Sequence, residues 1–535
     1  MPLESPIQFD TDVLVVGAGP AGLAAAIALR RAAPALRVMV LEKARAVGGH
    51  LLSGAIVDLG PFRDLLPPDA LAALPVAATV VRDTYRFLFP GRGSLRLPYV
   101  PPPMRDAGLA LVDLPELARA LAATAESLGV DVLPAQPADA LVFQKTGDAT
   151  APDDSLLLGV RTGADLLTAR HVVLAEGPGG PLAADVRGRF PALRAAQPAS
   201  HALAIRELWA VPPRPDLVGT VAHTFGAPLG LRTYGGGFLY RLAPDRVVAG
   251  LAVALDAPMP PGPQVLFEQW RRHRFVASWL RGGNRIGYGS RLIPEGGWPA
   301  IPDALQAANV TLLGDAAALV DPLALKGIQL DVQAALAAAA RLAEAAARAP
   351  AGTPLVPPNP LRRDDLPFAT ALRQVRNHRA GFEHGLIPGL ACAALGFLSG
   401  GRLPPRQLAL RGDLPPPARP DTFVLPTHHA ALESALADAR LAAPRPGTAP
   451  HITLHDPALC DGCPHPCYHF CPAATYAPAP EGTLPLSAPP LVHAENCLHC
   501  HTCLLRCPRA NIRWTPPAPP AGPNYAAPLS GVASR

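Results

Sequence analysis

Eight of the nine cysteines fall in two short runs near the C-terminal end, and each run closes in Cys-Pro. The second run, Cys497-x2-Cys500-x2-Cys503-x3-Cys507-Pro508, has the spacing of a bacterial-type iron–sulfur run. In such runs the first three thiolates hold one [4Fe–4S] cube and the fourth reaches across to another. The first run, Cys460-x2-Cys463-x3-Cys467-x3-Cys471-Pro472, is a near copy with one more residue in its middle. Crossed pairing gives Cys471, Cys497, Cys500 and Cys503 to one cube, and Cys460, Cys463, Cys467 and Cys507 to the other. Thiolates suit this chemistry because they are soft, charged ligands that keep binding as iron changes oxidation state. A pair of structural zinc sites is the competing reading of CxxC…CxxC. Zinc, however, needs neither the third cysteine in register nor the trailing Cys-Pro. A disulfide framework fits less well, because no secretory signal precedes it and tight CxxC spacing favours metal in a reducing compartment.

The second source of chemistry lies at the other end of the chain. TDVLVV, residues 11–16, reads as a buried parallel strand, and Gly17-x-Gly19-x-x-Gly22 follows at once, opening an alanine-rich helix. A second strand, VMVLEK, carries Glu42 twenty residues beyond Gly22. The glycines let the backbone approach a pyrophosphate at the helix N-terminus, and the acid binds a ribose hydroxyl. Gly48-Gly49 close behind Glu42 favours FAD over NAD. Two further strand-and-turn elements, His171 to Gly177 with Glu176 before its glycine, and Val310 to Ala317 with Gly314-Asp315, complete a nucleotide fold interrupted by insertions. Flavin chemistry belongs to the cofactor, so no acid–base triad is expected.

These sites need several elements to position them. At 535 residues the chain can build two or three domains, and 49% hydrophobic with 17% charged residues suits a folded protein. The net charge of +5 is mild, compatible with an anionic membrane surface or an acidic partner, and nothing suggests nucleic acid. The start, MPLESPIQFD, lacks the basic and apolar regions of a signal peptide, and no stretch reaches a membrane span. An alanine-rich core helix is predicted from Gln329 to Arg348, with proline-rich loops over 350–366 and 403–420. Between those loops, Leu386 to Leu398 is an apolar run that reads either as an interfacial segment or as a buried helix; its Cys392 is a small packed hydrophobe. In HTFGAPLGLRTYGGGFLYRL, glycines beside aromatics permit a flat ligand to approach the backbone, the alternative being a bent edge strand. His50 and His223 show no metal spacing and read as structural or cofactor-contacting.

An ordered series of segments resembles the electron transfer flavoprotein–ubiquinone oxidoreductase family. It runs through GAGPAG, GGHLLSGAIVD, AEG at 175–177, IRELW, TYGGGFLY, LALKGIQ around Lys326, the apolar segment after His384, and FCPAATY followed by NCLHCHTC. The resemblance implies an α/β fold: a glutathione-reductase-like FAD-binding domain, an inserted quinone-binding α+β domain and a C-terminal ferredoxin-like [4Fe–4S] domain. The expected parts are FAD-binding segments over 8–90, 166–200 and 298–350, an inserted segment over 91–165 and a quinone-binding domain over 201–297. A helical, membrane-facing connection over 351–448 and the iron–sulfur domain over 449–535 complete the chain. It implies cluster ligation by Cys471, Cys497, Cys500 and Cys503, and quinone contact at Gly235 and Gly236, with Tyr234 as a polar neighbour. The implied activity takes single electrons from reduced electron transfer flavoprotein through [4Fe–4S] and FAD to membrane ubiquinone. The implied location, for a bacterial source, is peripheral and monotopic on the cytoplasmic face of the inner membrane. A flavin reductase or hydroxylase of the same fold, or an electron-bifurcating or nitrogen-fixation relay subunit, are the alternatives. Relatives carry one cluster, have a longer apolar loop where this chain has Leu97 to Asp106, and often have Gly-Cys in place of Gly314-Asp315.

Overall fold

The computed structural model describes residues 8–52, 54–91, 93–144, 156–256, 262–413, 435–439, 441, 449–478, 489–518 and 521–525. Its first sheet runs Gln306–Ala307, Val310–Leu312, Asp165–Leu174, Thr11–Val16, Val38–Glu42, Asp131–Pro134. The four pairings from Val310–Leu312 to Asp131–Pro134 are parallel, with Val13 opposite both His171 and Val38. Parallel strands must be covered on both faces, which is why these read as unbroken apolar runs. Helix Pro20–Ala32 packs along helix Ile328–Arg348, and alanines on both let the backbones come close. The expected core helix is therefore present over nearly the expected span.

A second, seven-stranded sheet runs Asn284–Pro294, His201–Ala210, Arg246–Ala254, Gly235–Ala243, Thr220–Gly226, Arg82–Leu88, Ser94–Arg96. The expected parts do not map one to one onto the two sheets: strands Ala140–Gln144 and Leu156–Thr162 of the inserted segment extend the nucleotide sheet, and Ser94–Arg96 joins the second. Strand Arg82–Leu88, assigned to the first FAD segment, lies parallel to Thr220–Gly226 in this second sheet, with Tyr85 opposite His223. Strand Asp131–Pro134, assigned to the inserted segment, belongs to the nucleotide sheet. Strand Gly235–Ala243 sits between two neighbours, so the edge-strand reading fails.

The iron–sulfur domain is built of two half-motifs. Strand Ile452–Leu454 pairs with Ile512–Trp514, and Tyr476–Ala477 pairs with Leu491–Val492. Its Phe470, Tyr476 and Trp514 share one continuous apolar core with Phe267 and Trp270 beneath the second sheet. Helix Leu386–Leu398 packs on His378–Phe382 through Gly389 and Cys392, sets Gly396 near the Gln374 carbonyl, and turns its other faces outward. Ile387 is 70% exposed and Leu398 82%, so the buried-helix reading is overturned. Among the described residues no helix is long and apolar enough to cross a membrane. The second proline-rich loop has neither helix nor strand up to residue 413; residues 414–420 lie outside the described residues.

Candidate functional site

The three glycines of the first turn are glycine for different reasons. A Cβ on Gly17 would meet the Ala175 carbonyl oxygen at 2.4 Å, and Gly17 adopts φ +106°. A Cβ on Gly22 would meet the Gly17 oxygen at 2.0 Å. Both serve the chain's own packing. Gly19 is different: it is extended at φ −78°, and among the described residues no atom lies within 4 Å of the place where its Cβ would be. That space opens at the N-terminus of Pro20–Ala32, where no side chain caps the helix. Free N–H groups and the helix dipole there suit a pyrophosphate.

Glu42 fixes the rim of this cradle. Its Oε2 accepts from the Ala18 N–H (3.1 Å) and its Oε1 from the Ala44 N–H (2.8 Å). Gly49 gives its carbonyl to the Tyr525 N–H (2.7 Å), which draws the C-terminal segment over the loop after Glu42. Gly177, at φ +85°, leaves room for the Arg291 guanidinium, which a Cβ would strike. Glu176 does not face the cradle alone: its Oε1 accepts from the Ala183 N–H (2.6 Å), and burial pushes its pKa up to about 7. Opposite, Gly314, at φ +67°, lies against Ala21, and burial raises Asp315. Asp331 is raised well above the usual range by burial and then by Asp315. The Asp331 Oδ1, Gln329 Oε1 and Gln333 Oε1 atoms are buried without a hydrogen-bond partner among the described residues. Orphaned buried oxygens are costly unless a ligand supplies donors, and a hydroxyl-rich dinucleotide does so. The residues present fit FAD.

Two cysteine quartets stand behind the cradle. The inner one comprises Cys471, Cys497, Cys500 and Cys503, which line one pocket together with Tyr476, His501 and Trp514. The Thr475 N–H points at the Cys471 sulfur (3.4 Å) and the His499 N–H at the Cys497 sulfur (3.4 Å). Burial pushes the Cys503 thiol up to about 12 and Cys500 to about 11, with neighbouring thiols adding to both. A cationic iron core relieves that repulsion, so this donor set fits a [4Fe–4S] cube. The quartet is docked on the cradle: His501 Nδ1 donates to the Pro178 oxygen (3.3 Å), and the Tyr525 hydroxyl to the Leu498 oxygen (3.3 Å). Cys460, Cys463, Cys467 and Cys507 form the outer quartet, held by Asn511. The structure thus brings together the residues that spacing assigned to each set, and all nine cysteines are free.

The glycines expected to face quinone are packed by protein. A Cβ on Gly235 would meet the Ala252 oxygen at 2.3 Å, on Gly236 the Thr224 oxygen at 2.6 Å, and on Gly237 the Trp270 ring at 2.3 Å. The sheet therefore needs these glycines even without a ligand. Tyr234, just before them, donates to the Pro322 oxygen (3.3 Å) and lies under the Arg379 guanidinium, 4.7 Å from its ring centroid. Next to it, the Leu386 N–H bonds the Leu231 oxygen (2.7 Å), which joins the outward-facing helix to the loop that leads into Gly235.

Sequence reasoning missed three features. Arg291 reaches the cradle from the second sheet and donates to the His50 oxygen (3.3 Å). His50, far from lone, stands edge-on to His499 of the iron–sulfur domain at 5.1 Å between ring centroids. Asp106, fully buried, binds His223 (2.8 Å) and the Lys326 ammonium, tying the second sheet to the loop before Ile328–Arg348. Lys326, a rare lysine in an arginine-rich chain, was the one available signal for the last.

Cradle and docked thiol quartet define an FAD-dependent iron–sulfur oxidoreductase. A family model described as ETF-QO, ubiquinone-binding, matches residues 201–293. Another, electron transfer flavoprotein-ubiquinone oxidoreductase, 4Fe-4S, matches 450–526, and an NAD(P)-binding Rossmann-like domain matches 15–69. Full-length likeness extends to a probable mitochondrial electron transfer flavoprotein-ubiquinone oxidoreductase of Schizosaccharomyces pombe, at 30% identity over 96% of this chain and 85% of that one. The mitochondrial electron transfer flavoprotein-ubiquinone oxidoreductase of Oryza sativa is 31% identical over 96% and 92%, and the electron transfer flavoprotein-ubiquinone oxidoreductase of Pseudomonas aeruginosa 28% over 96% and 98%. Among solved structures, a geranylgeranyl bacteriochlorophyll reductase-like protein of Thermoplasma acidophilum aligns with TM-score 0.46 and 18% identity over 75% of this chain and 92% of that one. The chain belongs to the electron transfer flavoprotein–ubiquinone oxidoreductase family.

Proposed function

We propose that this chain accepts single electrons from reduced electron transfer flavoprotein and delivers them in pairs to membrane ubiquinone. The observation that carries the reading is the docking of the inner thiol quartet on the FAD cradle through His501–Pro178 and Tyr525–Gly49. Bound FAD supplies the exchange between one- and two-electron chemistry. The chain's residues do the rest. Gly19 and the first helix terminus hold the pyrophosphate, Glu42 the ribose, Asp315 and its neighbours the hydroxyl chain. Cys471, Cys497, Cys500 and Cys503 fix the cube behind the cradle and exclude water from it.

Quinone reaches the site from the membrane side. Helix Leu386–Leu398 lies on one leaflet, and the Leu231 loop it holds leads to Gly235 and Gly236, beside which the ring binds. Attachment is peripheral, on the cytoplasmic face of the inner membrane in a bacterial cell. A reductase or hydroxylase of this fold has no use for eight convergent thiols, and no observation favours it.

The test is an anaerobic assay of the purified chain with reduced electron transfer flavoprotein and a short-chain quinone. Quinol formation is expected, dependent on both partners. Oxidation of NAD(P)H without any quinone reduction by the flavoprotein donor would refute the reading.

A further inference from the structure

The inner quartet accounts for one cluster and leaves four cysteines unexplained. Cys460, Cys463, Cys467 and Cys507 come from both runs, yet the fold gathers them at one place. Asn511 clamps the two ends of the set: its main-chain N–H points at the Cys507 sulfur (3.3 Å) and its side-chain amide at the Cys460 sulfur (3.4 Å). The same side chain is held by Asp456, whose N–H it accepts (2.8 Å) and whose oxygen it bonds (2.8 Å). A turn from the Cys463 N–H to the Cys460 oxygen (3.0 Å) places those two cysteines side by side. Cys467 lies within electrostatic reach of Cys463, Cys507 and Cys460, and also of Cys471 of the inner set.

The outer set also repeats the inner one by an internal two-fold relation. After Cys471-Pro472 the chain passes through Ala474 at φ +47°, and the Thr475 N–H returns to the Cys471 sulfur. After Cys507-Pro508 it passes through Ala510, also at φ +47°, and the Asn511 N–H returns to the Cys507 sulfur. A strand follows each turn and pairs with the strand that opens the other half. The additional residue in the first run is absorbed by Pro464-His465-Pro466, with His465 at φ +47°. Cys467 still begins a helical turn, Cys467–Phe470, as Cys503 sits in the first turn of Thr502–Arg506. Donated N–H groups at sulfur and crossed ligation are the marks of paired iron–sulfur cubes.

We propose that Cys460, Cys463, Cys467 and Cys507 hold a second [4Fe–4S] cube, and that this outer cube is where electrons from the protein donor arrive. The proposal rests on the inner quartet's holding the first cube. Placement sets the order. The inner quartet is walled by buried His499, His501 and Thr502 against the FAD cradle, whereas the outer one is flanked by exposed Asp456 to Leu459, Asp461, Gly462 and Pro508 to Ala510. Each arrival moves one electron from the donor's reduced flavin to the outer cube and then to the inner cube, with no bond or proton change at the thiolates. Two arrivals supply the electron pair that the quinone takes up with two protons.

The test uses the full chain purified anaerobically, with iron, acid-labile sulfide and zinc analysis and electron paramagnetic resonance of the reduced protein. About eight irons per chain and a spectrum split by interaction between two neighbouring cubes are expected. Cys463→Ser and Cys507→Ser should each lose about half the iron, keep the flavin absorbance and abolish the splitting. In both, reduction of the inner cube by reduced electron transfer flavoprotein should be lost while reduction by dithionite is kept. About four irons in the wild type with quinone reduction intact would overturn the second cube and leave the function standing. Stoichiometric zinc at the outer set would overturn it as well. Undiminished donor-driven reduction in the variants would overturn the outer cube's place as the arrival point. Eight irons without quinone reduction would instead overturn the function. If the variants fail to fold, the iron count and splitting of the wild type decide.

Discussion

Replacing Ile387 and Leu398 by aspartate should release the protein from membranes without unfolding it. Helix Leu386–Leu398 buries only Gly389, Cys392 and Gly396 and exposes Ile387, Leu390, Leu395, Phe397 and Leu398. The exposed fractions of those five amount to about three whole apolar side chains, and at ~1.5–3 kcal/mol each their transfer to lipid contributes about 4–9 kcal/mol. Ile387 and Leu398 carry about half of that, so the double variant loses roughly 2–4 kcal/mol, or about 30- to 700-fold in partition, before the penalty for the two charges. The assay is flotation with liposomes of neutral and anionic lipid at low and high salt, with thermal unfolding as the folding control. Exposed positions should leave the unfolding temperature nearly unchanged. Equal flotation of the double variant, or clean release of the wild type by salt alone, would refute the hydrophobic account and make attachment electrostatic.

The cradle predicts that Gly19→Val folds but binds no FAD, whereas Gly22→Val destabilises the chain itself, because only the latter's Cβ meets protein. Flavin absorbance and circular dichroism separate the two. Asp106→Asn should cost about 3–5 kcal/mol, since it leaves the buried Lys326 ammonium without its counter-ion; an unfolding midpoint unchanged in denaturant would count against it. Burial raises the Asp106 carboxyl, but the His223 hydrogen bond and the His223 and Lys326 charges outweigh it and leave it lowered. Its contribution is therefore held at neutral pH and lost as pH falls below the ordinary carboxylate range. Glu295 behaves oppositely: burial, against the pull of Arg379, pushes it up to about 7. The folded state keeps that proton while the unfolded chain releases it, so stability should fall by up to about 3 kcal/mol as pH rises from 4.5 to 7, and Glu295→Gln should flatten the profile.

What could be read from sequence was what local spacing controls. The first strand, turn and helix, with Glu42 at the end of the next strand, and the core helix were legible because each is a short-range pattern with one physical solution. The exposed face of Leu386–Leu398 was only half legible, since an apolar run looks the same whether protein or lipid covers it. What was not legible depends on tertiary contact. No periodicity shows that Arg82–Leu88 joins the second sheet, or that Asp106, at the end of a proline-rich loop, meets His223 and Lys326. Gly235 and Gly236 show how a correct pattern can have another cause: the small residues are there, and the Ala252 and Thr224 carbonyls are enough to require them. For that reason Gly236→Val disturbs the sheet before it tests any ligand.

The joints between the sites are largely made by main chain. Tyr525 N–H to Gly49 oxygen, His501 to Pro178 oxygen and Leu386 N–H to Leu231 oxygen link iron–sulfur domain to cradle and the outward-facing helix Leu386–Leu398 to the loop before Gly235. A carbonyl acceptor stays in place when its own side chain changes. The separation between centres is thus set by fold rather than by residue identity at Gly49, Pro178 or Leu231. Electron transfer depends steeply on separation, so such joints allow a sequence to diverge widely while the order of centres persists. The iron–sulfur domain adds a shared apolar core with the second sheet, through Phe470 and Tyr476 against Phe267 and Trp270. Burying that common core makes docking part of folding, and the inner quartet comes to rest on the cradle without a separate association step.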